Sequence, residues 1–126
     1  METSFDVRME PGAHLQFEWR DDTPWYTRGP SLEIQPDGVL TASGKKLLTV
    51  PANTWLNVKM TCGVGPQASG MYDVEVTLPG DNKLQHYSGI EYQDGFETVG
   101  WFGFCCLSKQ RVAFYIDNLK IAAIRR

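Results

Sequence analysis

The 126-residue chain predicts an all-β protein built as an antiparallel β-sandwich. Three observations carry that prediction. Between its turns the chain is rich in Val, Ile, Thr, Trp, Tyr and Phe, and apolar and polar residues alternate with period two. Turn signals recur every ~8–12 residues, the rhythm of a sandwich or barrel. No stretch combines the length and the 3.6-residue period of a helix. A chain of this length fits one domain, residues 1–126, and can bury a core without metal or disulfide staples.

The elements follow in order. Residues 14–20 form a strand with Leu15, Phe17 and Trp19 on one face, ended by Asp21-Asp22-Thr23-Pro24. Residues 31–35 and 39–43 make a hairpin around Pro36-Asp37-Gly38, where Pro fixes φ and Gly tolerates a positive one. Ser43-Gly44-Lys45 turns into a strand at 46–50. In residues 55–62, Leu56, Val58, Met60 and Cys62 share one face. After a loop, residues 71–78 point Tyr72, Val74, Val76 and Leu78 inward and Asp73, Glu75 and Thr77 outward. Residues 83–92 are a weaker strand. Residues 98–107 are apolar on both faces, as a central buried strand is. Strands at 111–116 and 119–124 flank a break at Asp117-Asn118. The total is nine to eleven strands, a number that two packed antiparallel sheets accommodate.

Composition narrows the function classes. Hydrophobic residues make up 42% and charged ones 21%, as in ordinary soluble proteins. The net charge is −3 and no basic stripe occurs, which argues against nucleic acid as a partner. No apolar run approaches the ~18 residues of a membrane span. Met1-Glu2-Thr3-Ser4 lacks the basic and apolar regions of a signal peptide, which fits either a cytoplasmic protein or a piece excised from a longer one. Cys62, Cys105 and Cys106 are odd in number and not spaced as metal ligands. Buried free thiols and a disulfide from Cys62 to Cys105 or Cys106 both remain open.

Two segments and the chain's ending carry a family resemblance. Asn53-Thr54-Trp55-Leu56-Asn57-Val58-Lys59-Met60 sets a Trp after a polar turn at the head of an alternating strand. Tyr72-Asp73-Val74-Glu75-Val76 then runs to a Pro79-Gly80-Asp81-Asn82 turn, and the closing segment from Val112 to Ile121 has Asp117 after an aliphatic pair. These resemble the concanavalin A-like lectin/glucanase superfamily of laminin-G-like, jelly-roll domains, over nearly the whole chain. The resemblance implies a jelly-roll sandwich that acts as an accessory domain of a larger, exported (extracellular or periplasmic) protein and takes a carbohydrate or protein ligand. The superfamily also holds hydrolases, lyases and structural modules, so fold alone does not fix function. It further implies a place for a structural calcium ion at Asp117. Calcium needs ~6–8 oxygen ligands, and Glu10 and Glu18 are the candidate partners. Alternatively, Asp117 and Asn118 cap a bend.

Catalytic constellations are thin. Glycosidases of that superfamily set carboxylates at i, i+2 and i+4 of one strand. Asp73 and Glu75 fit the first two, but Thr77 stands third. A retaining pair needs carboxyl groups ~5–5.5 Å apart. Glu91, Asp94 and Glu97 alternate faces around Gly95. His86-Tyr87, with Gln85 and Gln93 nearby, is a lone lyase-like pair. Gly63-Val64-Gly65-Pro66 lacks the strand–helix setting of a phosphate loop. No catalytic residue is assigned.

Sugars stack their C–H faces on exposed rings while polar groups read the hydroxyls. The loop 20–28 offers Arg20, Asp22, Trp25, Tyr26 and Arg28 within nine residues, and Tyr87 and Tyr92 are candidates to join it. In the competing arrangement the loop folds over the sandwich end with its rings inward. Trp19, Trp55 and Trp101 are assigned to core or edge packing. The chain therefore reads as a non-catalytic, lectin-like carbohydrate-binding module. The alternatives are a structural or protein-interaction module and, behind it, a hydrolase or lyase.

Overall fold

In a computed structural model that describes residues 1–78 and 84–123, the chain forms two five-stranded antiparallel sheets packed face to face. The strands are β1 (Glu2–Met9), β2 (Leu15–Arg20), β3 (Arg28–Ile34), β4 (Val39–Ala42), β5 (Lys45–Thr49), β6 (Leu56–Cys62), β7 (Met71–Thr77), β8 (Leu84–Glu91), β9 (Trp101–Cys106) and β10 (Phe114–Ala122). Sheet A runs β10-β1-β6-β7-β8 and sheet B runs β5-β4-β3-β2-β9. This is the β-sandwich that the alternating pattern predicts. The 79–82 turn, Lys83 and Ile124 of the sequence reading lie outside the described residues. Among the described residues no helix is long and apolar enough to cross a membrane.

The core lies between the sheets. Phe5, Val7, Leu15, Phe17, Trp19, Ile34, Val58, Met60, Tyr72 and Val74 are all buried there. Removing each such large side chain from water contributes roughly 1.5–3 kcal/mol. Phe5, Phe17 and Phe104 pack as a triad with centroids 4.6–5.0 Å apart. The Trp19 indole N–H donates to Thr3 Oγ1 across the sandwich at 3.2 Å, so no buried polar atom there goes unpaired.

Three elements differ from the sequence reading. First, β1 is an additional strand. Thr3, Phe5, Val7 and Met9 alternate inward, and its central place between β10 and β6 buries them. Second, residues 98–107 are not a central buried strand. β9 pairs with β2 and forms an edge of sheet B. Its inner residues Phe102 and Phe104 meet the core, while Trp101 and Cys105 face out. Apolar residues stand on both faces because Trp101 lies over polar neighbours of its own sheet. Third, the last two predicted strands are one. Asp117 and Asn118 sit inside β10 at a bulge opposite β1, with Asn118 at φ 51°.

Candidate functional site

The outer face of sheet B is set by register. β2 points Gln16, Glu18 and Arg20 outward because Leu15, Phe17 and Trp19 point in. Glu18 stands opposite Ser31 of β3 and Gly103 of β9. A bulge follows between β2 and β3. Continued pairing would set Gly29 against Arg20, but the shift sets Arg28 there instead. Such a bulge re-aims a side chain without breaking the sheet. The missing N–H of Pro30 does no harm, since β4 pairs with β3 at Glu33 and Ile34. The row across the sheet is thus Arg28, Arg20, Trp101.

This row encloses an ionic cluster. Glu18 is 1% exposed, a rare state for a carboxylate on an outer face. Its Oε2 accepts a hydrogen bond from Arg20 Nε at 2.8 Å and lies 3.3 Å from Arg28 Nε. Its Oε1 accepts from Gln16 Nε2 at 2.8 Å. Arg20 Cζ sits 4.1 Å from the Tyr26 ring centroid and 4.0 Å from that of Trp101. Gly103 lets the Trp101 indole lie against the sheet, since a Cβ there would force the ring to shift. The bond to Glu18 raises the Arg20 pKa further, so its charge is fixed.

Next to the cluster lies an open pocket of about 700 Å³, walled by Trp25, Tyr26, Arg28, Ser31, Ser43, Glu91, Tyr92 and Gln93. A smaller hollow of about 180 Å³, reaching Gln16, Glu33 and Thr41, shares Arg28, Ser31 and Ser43 with it and extends it across the sheet. Each wall is fixed from behind. Asp21 closes the loop between β2 and β3: its Oδ1 accepts from Thr27 N–H at 2.7 Å, Thr23 O–H at 2.7 Å and Thr23 N–H at 3.3 Å. These bonds, that from Thr27 foremost, hold the Asp21 carboxyl below the usual range. The loop so tied presents Trp25 at 93% exposure. The Tyr72 hydroxyl reaches across the core from sheet A, donates to Ser31 C=O at 2.8 Å and meets Ser43 Oγ at 2.7 Å. Burial pushes its pKa up, so it stays a neutral donor. Gln93 Oε1 accepts from Arg28 N–H, and Tyr92 O–H accepts from Gly70 N–H. Gly29 lies flat against Phe96, where a Cβ would fall 2.5 Å from the ring.

Of the residues singled out from sequence, Trp25, Tyr26, Arg28 and Tyr92 come together in this pocket, with Arg20 beside Tyr26. Asp22 does not line the pocket: it is exposed, with its Cβ beside Gly100. Tyr87 does not join them: it points inward from β8 and donates to Leu47 C=O. The rings of the 20–28 loop do not pack inward. Ser31, Ser43, Trp101 and the placement of Glu18 between two Arg were not foreseen.

Asp117 takes Asn118 N–H on its own Oδ1, while Asp6 opposite it holds Asn118 Nδ2. Glu10 accepts from Ala113 N–H and Tyr115 O–H, and Glu18 is on the other sheet. The three candidate calcium donors are therefore apart, and no group of three or more His, Cys, Asp or Glu suited to a metal occurs among the described residues. Asp73 and Glu75 face out from sheet A, around His86 at 3.8 and 3.1 Å. The three thiols are free, and burial pushes that of Cys62 up to about 11.

Comparison of the chain with protein-family models, with curated proteins and with solved structures gives no match in any of the three.

Proposed function

We propose that this chain is a non-catalytic carbohydrate-binding module whose site is the pocket on the outer face of sheet B. The observation that carries the reading is Trp25, fully presented on a loop that Asp21 ties shut, beside a pocket of sugar-sized volume. Leaving an indole of ~150–250 Å² in water forgoes several kcal/mol at ~25 cal/mol/Å². A pyranose ring stacking on it recovers part of that. Around it the chemistry suits hydroxyl recognition: Ser31, Ser43, Gln93 and Glu91 supply donors and acceptors, Tyr92 a second ring. A jelly-roll, concanavalin A-like and laminin-G-like lectin relationship is part of the same proposal, resting on the segments around Trp55, Tyr72 and Asp117.

The test is affinity gel electrophoresis on a panel of polysaccharides, with wild type beside Trp25→Ala, with and without calcium. Retardation by at least one polysaccharide, lost in Trp25→Ala, is expected. No retardation by any would overturn the reading. A second reading, a structural or protein-interaction module, is favoured by edge strand β10, where Leu119 and Ile121 are each 48% exposed. Ile121→Lys abolishing self-association or partner capture, with sugar binding absent, is its signature.

A further inference from the structure

The Glu18 cluster is not explained by stability. Two Arg stand directly opposite each other on neighbouring strands, an arrangement that repels. Burying Glu18 between them costs desolvation that apolar residues would not incur. What the cluster achieves is position. Glu18 is fully used: Gln16 and Arg20 hydrogen-bond its two oxygens and Arg28 pairs with Oε2. The guanidinium groups are not. Among the described residues Arg20 donates only its Nε, and Arg28 makes its ion pair without a side-chain hydrogen bond. A guanidinium has five N–H donors, and its terminal fork matches a carboxylate in bidentate geometry.

Arg20 and Arg28 against Glu18 leave one positive charge within the cluster itself, and Glu91 on the pocket wall offsets it across the groove. Of the other carboxylates here, Glu33 is engaged by His14 Nε2 at 2.7 Å, and Glu91 lines the wall together with Tyr92 and Gln93. Arg28 itself lines both hollows and its side chain is 45% exposed, so its donors open into the groove.

We propose that this groove selects glycans bearing carboxylate groups: a uronate carboxylate docks on the Arg28 fork, with Arg20 adding its charge, while the sugar ring stacks on Trp25. This rests on the carbohydrate reading above and adds the ligand class to it. Arg28 is the residue that discriminates charge, and Trp25 binds the ring whatever its charge.

The experiment measures affinity of the full chain for polygalacturonate, alginate and hyaluronan, each beside its carboxyl-esterified form, at about 50 and 500 mM NaCl. The proposal expects at least one acidic polymer to bind 10-fold or more tighter than its ester, more weakly at high salt. Arg28→Gln should bring the ratio of acid to ester affinity to within about 2-fold, and Arg28→Lys should keep that ratio between those of Arg28→Gln and wild type, because Lys offers a point charge without the fork. Arg28→Gln keeps the Arg20–Glu18 bond, and an unchanged unfolding midpoint verifies its fold. Equal binding of acid and ester, or acid binding untouched by Arg28→Gln, overturns the proposal while leaving the carbohydrate module standing. Binding to neutral glycans alone does the same. Absence of binding to every acidic and neutral polymer overturns both.

Discussion

The outer faces of the two sheets carry similar residue types and organise them in opposite ways. On sheet A, Lys59 lies 3.2 Å from Glu2 and 3.7 Å from Glu75, and His86 pairs with Glu75 and Asp73. All of these side chains stay in contact with solvent, where water and salt screen them. On sheet B the carboxylate of Glu18 is sealed beneath two guanidinium groups, and aromatic rings lie over one of them. Charges in water stabilise little and specify little. Charges withdrawn from water cost more and hold their neighbours in one geometry, which a binding site requires.

Breaking that contrast should give unequal losses. Glu18→Gln removes the counter-charge between Arg20 and Arg28. Loss of a partner from a fully buried pair costs about 3–5 kcal/mol. The partial exposure of both Arg reduces the expectation here to about 2–3 kcal/mol in urea unfolding, with weaker glycan binding. Gly29→Ala tests the support beneath the site. Its Cβ would press on Phe96, itself buried, and overpacking of this kind costs about 1–3 kcal/mol. The loss should fall on unfolding midpoint and binding together, because Arg28 is the next residue and Gln93 of the Phe96 loop holds its N–H. On the other face, Lys59→Met should shift stability by less than about 1 kcal/mol and leave glycan binding unchanged.

The smallest effect appears only in acid. Hydrogen bonds from Thr27 and Thr23 lower the Asp21 pKa in the fold. A carboxyl lowered this way stabilises fully above its unfolded value, ~3.9, and the gain disappears as pH falls through the folded value. Asp21→Asn should therefore lie below wild type in melting temperature at pH 7, and the gap should close below about pH 3–4. A gap that is constant with pH would show that the loop is held by shape rather than by that charge. Thiol labelling gives an independent check of the fold. Cys106 is exposed and its pKa is lowered by Ser108, whereas Cys62 is buried with its pKa raised. Native labelling should modify Cys106 and spare Cys62 until unfolding.

Much of this architecture was legible from local pattern. Alternation placed Phe17, Trp19, Val58, Met60 and Val74 in the core, and Pro36-Asp37-Gly38 marked a true turn. The density of rings and charges in residues 20–28 marked the loop that presents Trp25. What stayed hidden depends on pairing between distant strands. Trp101 reaches Arg20 because β9 joins the edge of sheet B beside β2, a neighbour relation with no local signature. Arg28 faces Glu18 because of a bulge, and strict period-two counting gives that place to Gly29. Glu18 between Phe17 and Trp19 read only as a candidate calcium ligand, since its enclosure depends on Arg28 of β3 as well as on Gln16 and Arg20 of its own strand.

The most direct measurement is amide and side-chain shift mapping of the isotope-labelled chain, titrated with a mixture of neutral and acidic oligosaccharides. The predicted result is a contiguous set of shifts at Trp25, Tyr26, Arg28, Ser31 and Tyr92 and at the Arg20 guanidinium, with Lys59, Glu75 and His86 unmoved. Shifts centred on Lys59, Glu75 and His86, or on Leu119 and Ile121, with the loop around Trp25 unchanged, would contradict it, as would the absence of any shift.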